Sequence, residues 1–413
     1  MRKLHWLTLF VLVALVLTSA HAATANARRS TYLTLMGWSS STEENNALQN
    51  MVNEFMKANP DIVVNLNLVP AFDTTIQAAF ASGDPPNVFY VDSSKLPDWA
   101  EAGVLAVGGD KIVDKEDIYP SLLEVFTYKG QLYCPPKDFS TMTLQYNKDM
   151  FDAAGLAYPT PDWTWDDLKS AAEKLTGQTA DGKKVLGLVT PPNFERWLPF
   201  LYQAGGSVLN DDWTASTFDS DQTRAALDLY VGLVTDGFAG PPSAVDAGWG
   251  GEAFGNGRVA MAMEGNWVIT YLLNQFPDLH WGVTELPKGP AGQASMAFTV
   301  CYGVAAENKY PDESWTLVNY LTGKEGAQLV ATQGFGVMPA RISAADAWLT
   351  SMGQQFEPFV KSADYAHKWQ FPVGFQDAID TFNADLQNAF QGSATTDDII
   401  SDTNSVIEEV LSR

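Results

Sequence analysis

From Tyr32 to Val91 the apolar residues switch repeatedly between the period of a strand and the period of a helix, and this limits the fold more than any other feature. Tyr32 to Met36 alternates as a strand. Leu48, Met51, Val52, Phe55 and Met56 then recur at helical spacing behind Ser41 and Glu44, which fit a capping box, until Asn59-Pro60 stops the helix. Ile62 to Leu68 places Val64, Leu66 and Leu68 on one face of a second strand. Phe72 to Ser82 reads as a helix ended by Gly83, and Asn87 to Val91 as a short buried strand. Strands and helices at this interval predict parallel βαβ units and an α/β fold.

Further along, Leu132 to Tyr146 holds strand-like stretches interrupted by Pro135-Pro136, and Arg258 to Met263 reads as another strand. Helices are predicted over Trp165–Thr176 behind an N-cap at Thr164, and over Asp221–Thr235. Past residue 310 the pattern is mainly helical, including Gln376–Phe390 and Asp397–Leu411. A chain of 413 residues can bury two domain-sized cores. No low-complexity linker separates them, so two lobes joined by strands are expected.

The N-terminus reads as a leader. Met1-Arg2-Lys3 precedes an apolar run, Trp6 to Leu17, and then Ala20-His21-Ala22 and Ala25-Asn26-Ala27, the order of a secretory signal peptide over residues 1–27. The run is shorter than the ~20 residues a membrane span needs. No lipobox Cys follows it, so an exported protein of the periplasm or cell envelope is expected. Cleavage removes Arg2 and Lys3 and no acid, taking the net charge from −24 to −26.

That charge excludes nucleic acid as a partner, since phosphate binding needs a concentrated positive field. With four His and two Cys in the whole chain, little material exists for a metal centre or thiol chemistry. No phosphate loop, dinucleotide fingerprint, H-E-x-x-H, C-x-x-C or EF-hand loop is present. No cofactor, metal or enzymatic activity is expected. The thirteen Trp are what remains to be explained.

Four segments carry a family likeness. They are Ser82–Asp92 (SGDPPNVFYVD) with Ala100–Leu105, Leu144–Phe151 (LQYNKDMF), Phe254–Trp267 (FGNGRVAMAMEGNW) and Leu321–Gln328 (LTGKEGAQ). In this order they resemble the extracellular (periplasmic) solute-binding proteins of sugar ABC transporters, the maltose-binding-protein-like family 1. One departure is Ala294-Ser295-Met296-Ala297-Phe298, where members often carry a Gly pair. The resemblance implies a two-lobed, type II periplasmic-binding-protein fold, each lobe a mixed sheet flanked by helices, joined by hinge strands. It divides the chain into residues 28–136 plus 302–340 and residues 137–301 plus 341–413, with crossings near Cys134–Phe139, Thr299–Gly303 and Met338–Ser343. It implies a monomer that captures a sugar or oligosaccharide and delivers it to ABC permease subunits in the membrane.

The residue chemistry agrees with a sugar site. A pyranose has an apolar face that suits an indole and a rim of hydroxyls that suits carboxylates and amides. Trp267 occupies the family's stacking position. Trp38 and Ser39 end the first strand, and Tyr90, Asp92 and Ser93 end the third, where open α/β sheets hold ligands. Asp138 falls on the first crossing. Glu195 and Trp197 follow the family's ligand loop, Trp249 lies in a Gly-rich loop, and Trp369 with Phe371 fills the late aromatic position. Cys134 and Cys301 map onto hinge strands and are a candidate disulfide if those strands are neighbours. The alternative function is a secreted glycoside hydrolase or lyase, which needs two facing carboxylates. A phosphorylated polyol is a second ligand class, with Arg196, Arg258 or Arg341 as its anion partner.

Overall fold

The computed structural model describes residues 30–179, 182–333 and 335–413; the expected leader lies outside them. Strands β1 (Thr31–Trp38) and β2 (Ile62–Val69) form where alternation predicts them, and β3 (Val88–Asp92) where the short buried run does. β1 lies between the other two and runs parallel to both. Parallel neighbours need crossovers, which α1 (Thr42–Ala58) and α2 (Phe72–Ser82) supply. α1 buries Ala47, Leu48, Met51, Val52 and Phe55, the stripe read from the sequence, and each larger side chain contributes about 1.5–3 kcal/mol of transfer free energy. Its N-cap Ser41 accepts the Glu44 N–H at 3.1 Å. The Glu44 carboxylate does not close the expected capping box; it turns to the Ser40 hydroxyl and to Lys137.

Two long strands carry the chain between lobes. β4 (Pro136–Asn147) is buried along its whole length. β5 (Lys184–Val189) and β6 (Val259–Gly265) belong to the second lobe, and β7 (Ser295–Val304) runs back antiparallel to β4, pairing Ala297 with Thr141 and Thr299 with Phe139. Phe139 packs in the first core and Met142 in the second; Met296 packs in the second and Val300 in the first. The crossings therefore fall at Ser140-Thr141 and at Ala297–Thr299. The two lobes share one continuous sheet, in the order β2-β1-β3-β7-β4-β6-β5. Cys134 and Cys301 are disulfide-bonded, with Cα atoms 5.7 Å apart, in the first core beside these strands.

At the start of the expected third crossing, Met338–Ser343, Met338 and Pro339 pair with Phe139 and Asp138 of β4. Ala344, Trp348, Phe356 and Phe359 are still buried in the first core, and the next residue buried in the second core is Phe371. Arg341 ties this stretch to earlier parts of the chain. Its buried guanidinium donates to the carbonyls of Thr322 at 2.5 Å and Asp114 at 2.8 Å, which keeps this stretch on the first lobe. The helices Gln376–Phe390 and Thr396–Ser412 then complete the second core. No helix among the described residues is long and apolar enough to cross a membrane.

Candidate functional site

Alternation along β4 and β7 decides what faces the space between the lobes, because successive side chains point to opposite faces. Asp138 and Ser140 of β4, and Phe298 and Val300 of β7, line a cavity of about 450 Å³, whereas Phe139 and Ala297 line a different one behind the strands. The first lobe adds Trp38, Ser40, Ser41, Glu44, Asp92 and Lys137 to the cavity. The second adds Trp249, Trp267 and Tyr271. A second hollow of about 570 Å³ shares Trp38 and Asp92 and continues past Phe72, Asp73 and Lys95 to Trp369 and Gln376. Both volumes lie in the range of small-molecule clefts.

Trp38 ends β1 and stands edge-on to Tyr90 at 4.8 Å and Phe72 at 5.7 Å. Opposite it, Trp249 precedes a short helix, Gly250–Gly255, and meets Tyr271 at 4.8 Å. Trp267 opens α4 (Trp267–Gln275), since α3 (Phe194–Gln203) comes earlier in the chain. Each indole of this wall folds flat over a glycine. A Cβ on Gly251 would sit 2.1 Å from the Trp249 ring, and one on Gly265 would sit 2.2 Å from the Trp267 ring. Asn266, buried beside Trp267, accepts the Thr141 N–H at 3.2 Å and donates to the Gly336 carbonyl at 3.2 Å, linking this wall to the hinge and the first lobe.

The polar floor is a buried charge cluster. Lys137 is ion-paired with Asp138 and lies 3.7 Å from Glu44 and 5.0 Å from the Tyr90 ring centroid. Burial alone would lower its ammonium pKa, but Asp138, Tyr90 and Glu44 together hold it well above the ordinary value. Burial also pushes the Asp92 carboxyl up, against donors from the Ser94 N–H at 2.9 Å and hydroxyl at 2.6 Å. Carboxylates thus outnumber the one ammonium in the cavity wall.

The other predicted residues are placed differently. Trp197 was expected at the ligand and is a core residue instead. In α3, Phe194, Trp197, Leu198 and Leu201 follow helical spacing and are buried, with Trp197 against Phe194, Phe218 and Phe382. Glu195, on the same helix, is not in the cavity lining. Phe371 is buried in the second core, stacked on Phe375 at 4.5 Å and edge-on to Trp369 at 5.3 Å. Tyr90 and Ser93 are buried behind the wall, and the Ser93 hydroxyl donates to the Trp369 carbonyl at 2.7 Å. Ser39 is exposed and accepts from Asn45 at 3.0 Å. Sequence reasoning missed Glu44, Lys137 and Tyr271; Glu44 passed for a cap, and Lys137 had no motif around it.

The three arginines weighed as anion partners are engaged. Arg196 donates to Glu264 at 2.9 Å, Arg258 donates to the Lys184 carbonyl at 2.9 Å and lies 3.5 Å from Asp246, and Arg341 is buried in the first lobe. His280 meets Asp149 at 3.1 Å, and His367 stacks on Tyr202 at 3.8 Å. Among the described residues, no group of three or more His, Cys, Asp or Glu could hold a metal ion.

The model of the bacterial extracellular solute-binding protein family matches residues 38–328, well over half of the chain. The chain belongs to this family. Family members are solute-binding components of transporters, which identifies this protein as an exported binder and not an enzyme. The solute-binding protein is 27% identical to an ABC substrate-binding protein from Listeria monocytogenes solved in complex with cycloalternan; the match covers 93% of this chain and 99% of that one, with a TM-score of 0.84. It is 24% identical to the GacH receptor of Streptomyces glaucescens, solved unliganded and with acarbose, over 93% and 99% of the two chains, with a TM-score of 0.83. It is 21% identical to the multiple sugar-binding protein of Streptococcus mutans, covering 79% of this chain and 80% of that protein.

Proposed function

We propose that this protein is the substrate-binding component of a carbohydrate ABC importer, exported behind its leader. As a monomer it captures a neutral sugar or oligosaccharide between its lobes and delivers it to the membrane permease. One observation carries the reading: indoles from opposite lobes, Trp38 against Trp249 and Trp267, face one cavity whose floor is carboxylate-rich. Flat apolar surfaces with acceptors at the rim match a pyranose, and the related Listeria structure holds a carbohydrate. The ligand contacts are Trp38, Asp92, Asp138, Trp249, Trp267 and Trp369, joined by Glu44, Lys137 and Tyr271. Tyr90 supports Trp38, and Ser93 and Phe371 support Trp369, from behind. The lobes comprise residues 30–139 with 300–362, and 140–299 with 363–413.

Binding without chemistry is the mechanism. Sugar contacts made to both lobes only when the cleft is shut favour the closed form. Taking closure from 1:99 to 99:1 requires about 5.5 kcal/mol of differential affinity, within the roughly 8 kcal/mol of a micromolar ligand. An anionic ligand is disfavoured because Glu44, Asp92 and Asp138 face the cavity while Arg196 is paired with Glu264. Hydrolysis is disfavoured because Asp138 is held by Lys137 and Asp92 by Ser94.

Thermal melting against a panel including maltotriose and mannobiose tests the reading. A bound sugar at 100 times Kd adds about 2.7 kcal/mol of stability and is recovered intact. Release of shorter sugars would establish the hydrolase instead, and a panel that leaves the melt unmoved refutes carbohydrate as the ligand.

A further inference from the structure

We infer that Glu264 is the positioning residue of the cleft: it fixes the plane in which Trp267 meets the ligand, without touching the ligand itself. The inference rests on the sugar-binding reading for its purpose, although its geometry stands alone. Glu264 is the penultimate residue of β6, and its side chain is 2% exposed. One carboxylate oxygen, Oε2, accepts both the Trp267 indole N–H at 3.1 Å and the Arg196 guanidinium at 2.9 Å. Arg196 in turn lies over the Trp267 ring, 5.3 Å from its centroid. The indole is therefore held by its N–H edge, by the cation over its ring and by Gly265 packed against it, which fixes its plane.

The clamp is rigid because its base is rigid. The side-chain amide of Gln145, buried on the neighbouring strand β4, accepts the Glu264 N–H at 2.8 Å and donates to the Glu264 carbonyl at 3.1 Å. Gly250 packs against the other carboxylate oxygen so closely that a Cβ there would lie 2.3 Å from Oε1. Burying an ion pair is rarely a net gain in stability, because desolvation offsets the attraction. A buried glutamine could accept the same indole N–H at less cost. The ionic form is explained if the carboxylate must hold two partners at once, the indole edge and the cation on its face.

The test uses the full mature chain with ¹⁵N-labelled tryptophan, the Trp267 indole resonance being assigned by its loss in Trp267→Phe. Glu264→Leu combined with Arg196→Met removes both charges, so neither is stranded in the fold. Gly250→Ala keeps both charges and pushes the carboxylate aside. Both are expected to shift and broaden the Trp267 indole signal and to weaken binding of the sugar that stabilises the wild type by about tenfold, as for residues coupled in one network. Glu264→Gln, which retains an acceptor for the indole, recovers part of that loss. In a Trp267→Phe background the Glu264 substitution changes affinity by less than about twofold, because no N–H remains to be held. An unmoved indole signal in both variants overturns the inference, as does full loss of affinity from Glu264→Leu in the Trp267→Phe background. A wild type that binds no sugar refutes the proposed function, while the indole signal still decides the role of Glu264.

Discussion

The Cys134–Cys301 disulfide closes 167 residues of sequence separation, a span that contains the second lobe's sheet but not its last two helices. Replacing both cysteines by alanine tests what it contributes. Cross-linking a chain over this span removes loop-closure entropy from the unfolded state, and the chain-entropy relation puts that at about 5 kcal/mol. Both residues are buried in the first core, so loss of the sulfur atoms adds a packing term of order 1 kcal/mol. The expected loss is therefore about 6 kcal/mol, a large share of the 5–15 kcal/mol typical of a folded protein. Guanidinium unfolding, followed by tryptophan fluorescence with and without reductant, measures it. Reduced wild type should unfold well below the oxidised protein, and the double variant about 1 kcal/mol lower still, for the lost sulfur packing. A double variant within about 1 kcal/mol of the oxidised wild type would refute the entropic argument. Two alkyl adducts on unreduced, unfolded protein would refute the bond itself.

Three further outcomes follow from the same contacts. Trp267→Ala should weaken sugar binding by about tenfold or more, through lost stacking, with little change in melting; Trp197→Ala should instead cost about 3–5 kcal/mol of stability, measured by denaturant titration, because it opens the second core. Lys137→Met should cost about 3–5 kcal/mol, since it leaves the buried Asp138 carboxylate without its cation, and Lys137→Met with Asp138→Leu should recover most of that loss. Burial lowers the His367 pKa below its ordinary 6.5, so the fold favours the neutral ring. Stability should be complete above about pH 6.5 and fall as pH drops through the folded-state pKa, and His367→Gln should flatten that fall in pH-dependent melts.

Much of this protein could be read from local pattern. The strands β1 to β3, the helices between them and the last two helices follow from hydrophobic period and capping residues, which act over a few neighbours. Trp38, Asp92, Asp138, Trp249 and Trp267, which line one cavity, were singled out from strand ends, a predicted crossing, a Gly-rich loop and a family motif. What tertiary structure decided is whether a side chain faces the cleft or a core. Trp197 and Trp267 are the same residue type, each on a helix of the second lobe; helical spacing with Phe194, Leu198 and Leu201 buries one, and the other lies against Gly265 at the end of β6 and lines the cavity. Lys137 gave no sequence signal because its partners, Glu44 and Tyr90, are distant in the chain and meet only when β3 and β4 enter one sheet through β7. Arg341 shows the same limit, since its buried guanidinium donates to the carbonyl of Asp114, 227 residues away in the chain. The opening alternation of strand and helix determined the class of fold, because each element needs only its own neighbours to form. The cleft was decided by contacts across hundreds of residues, which no local period records.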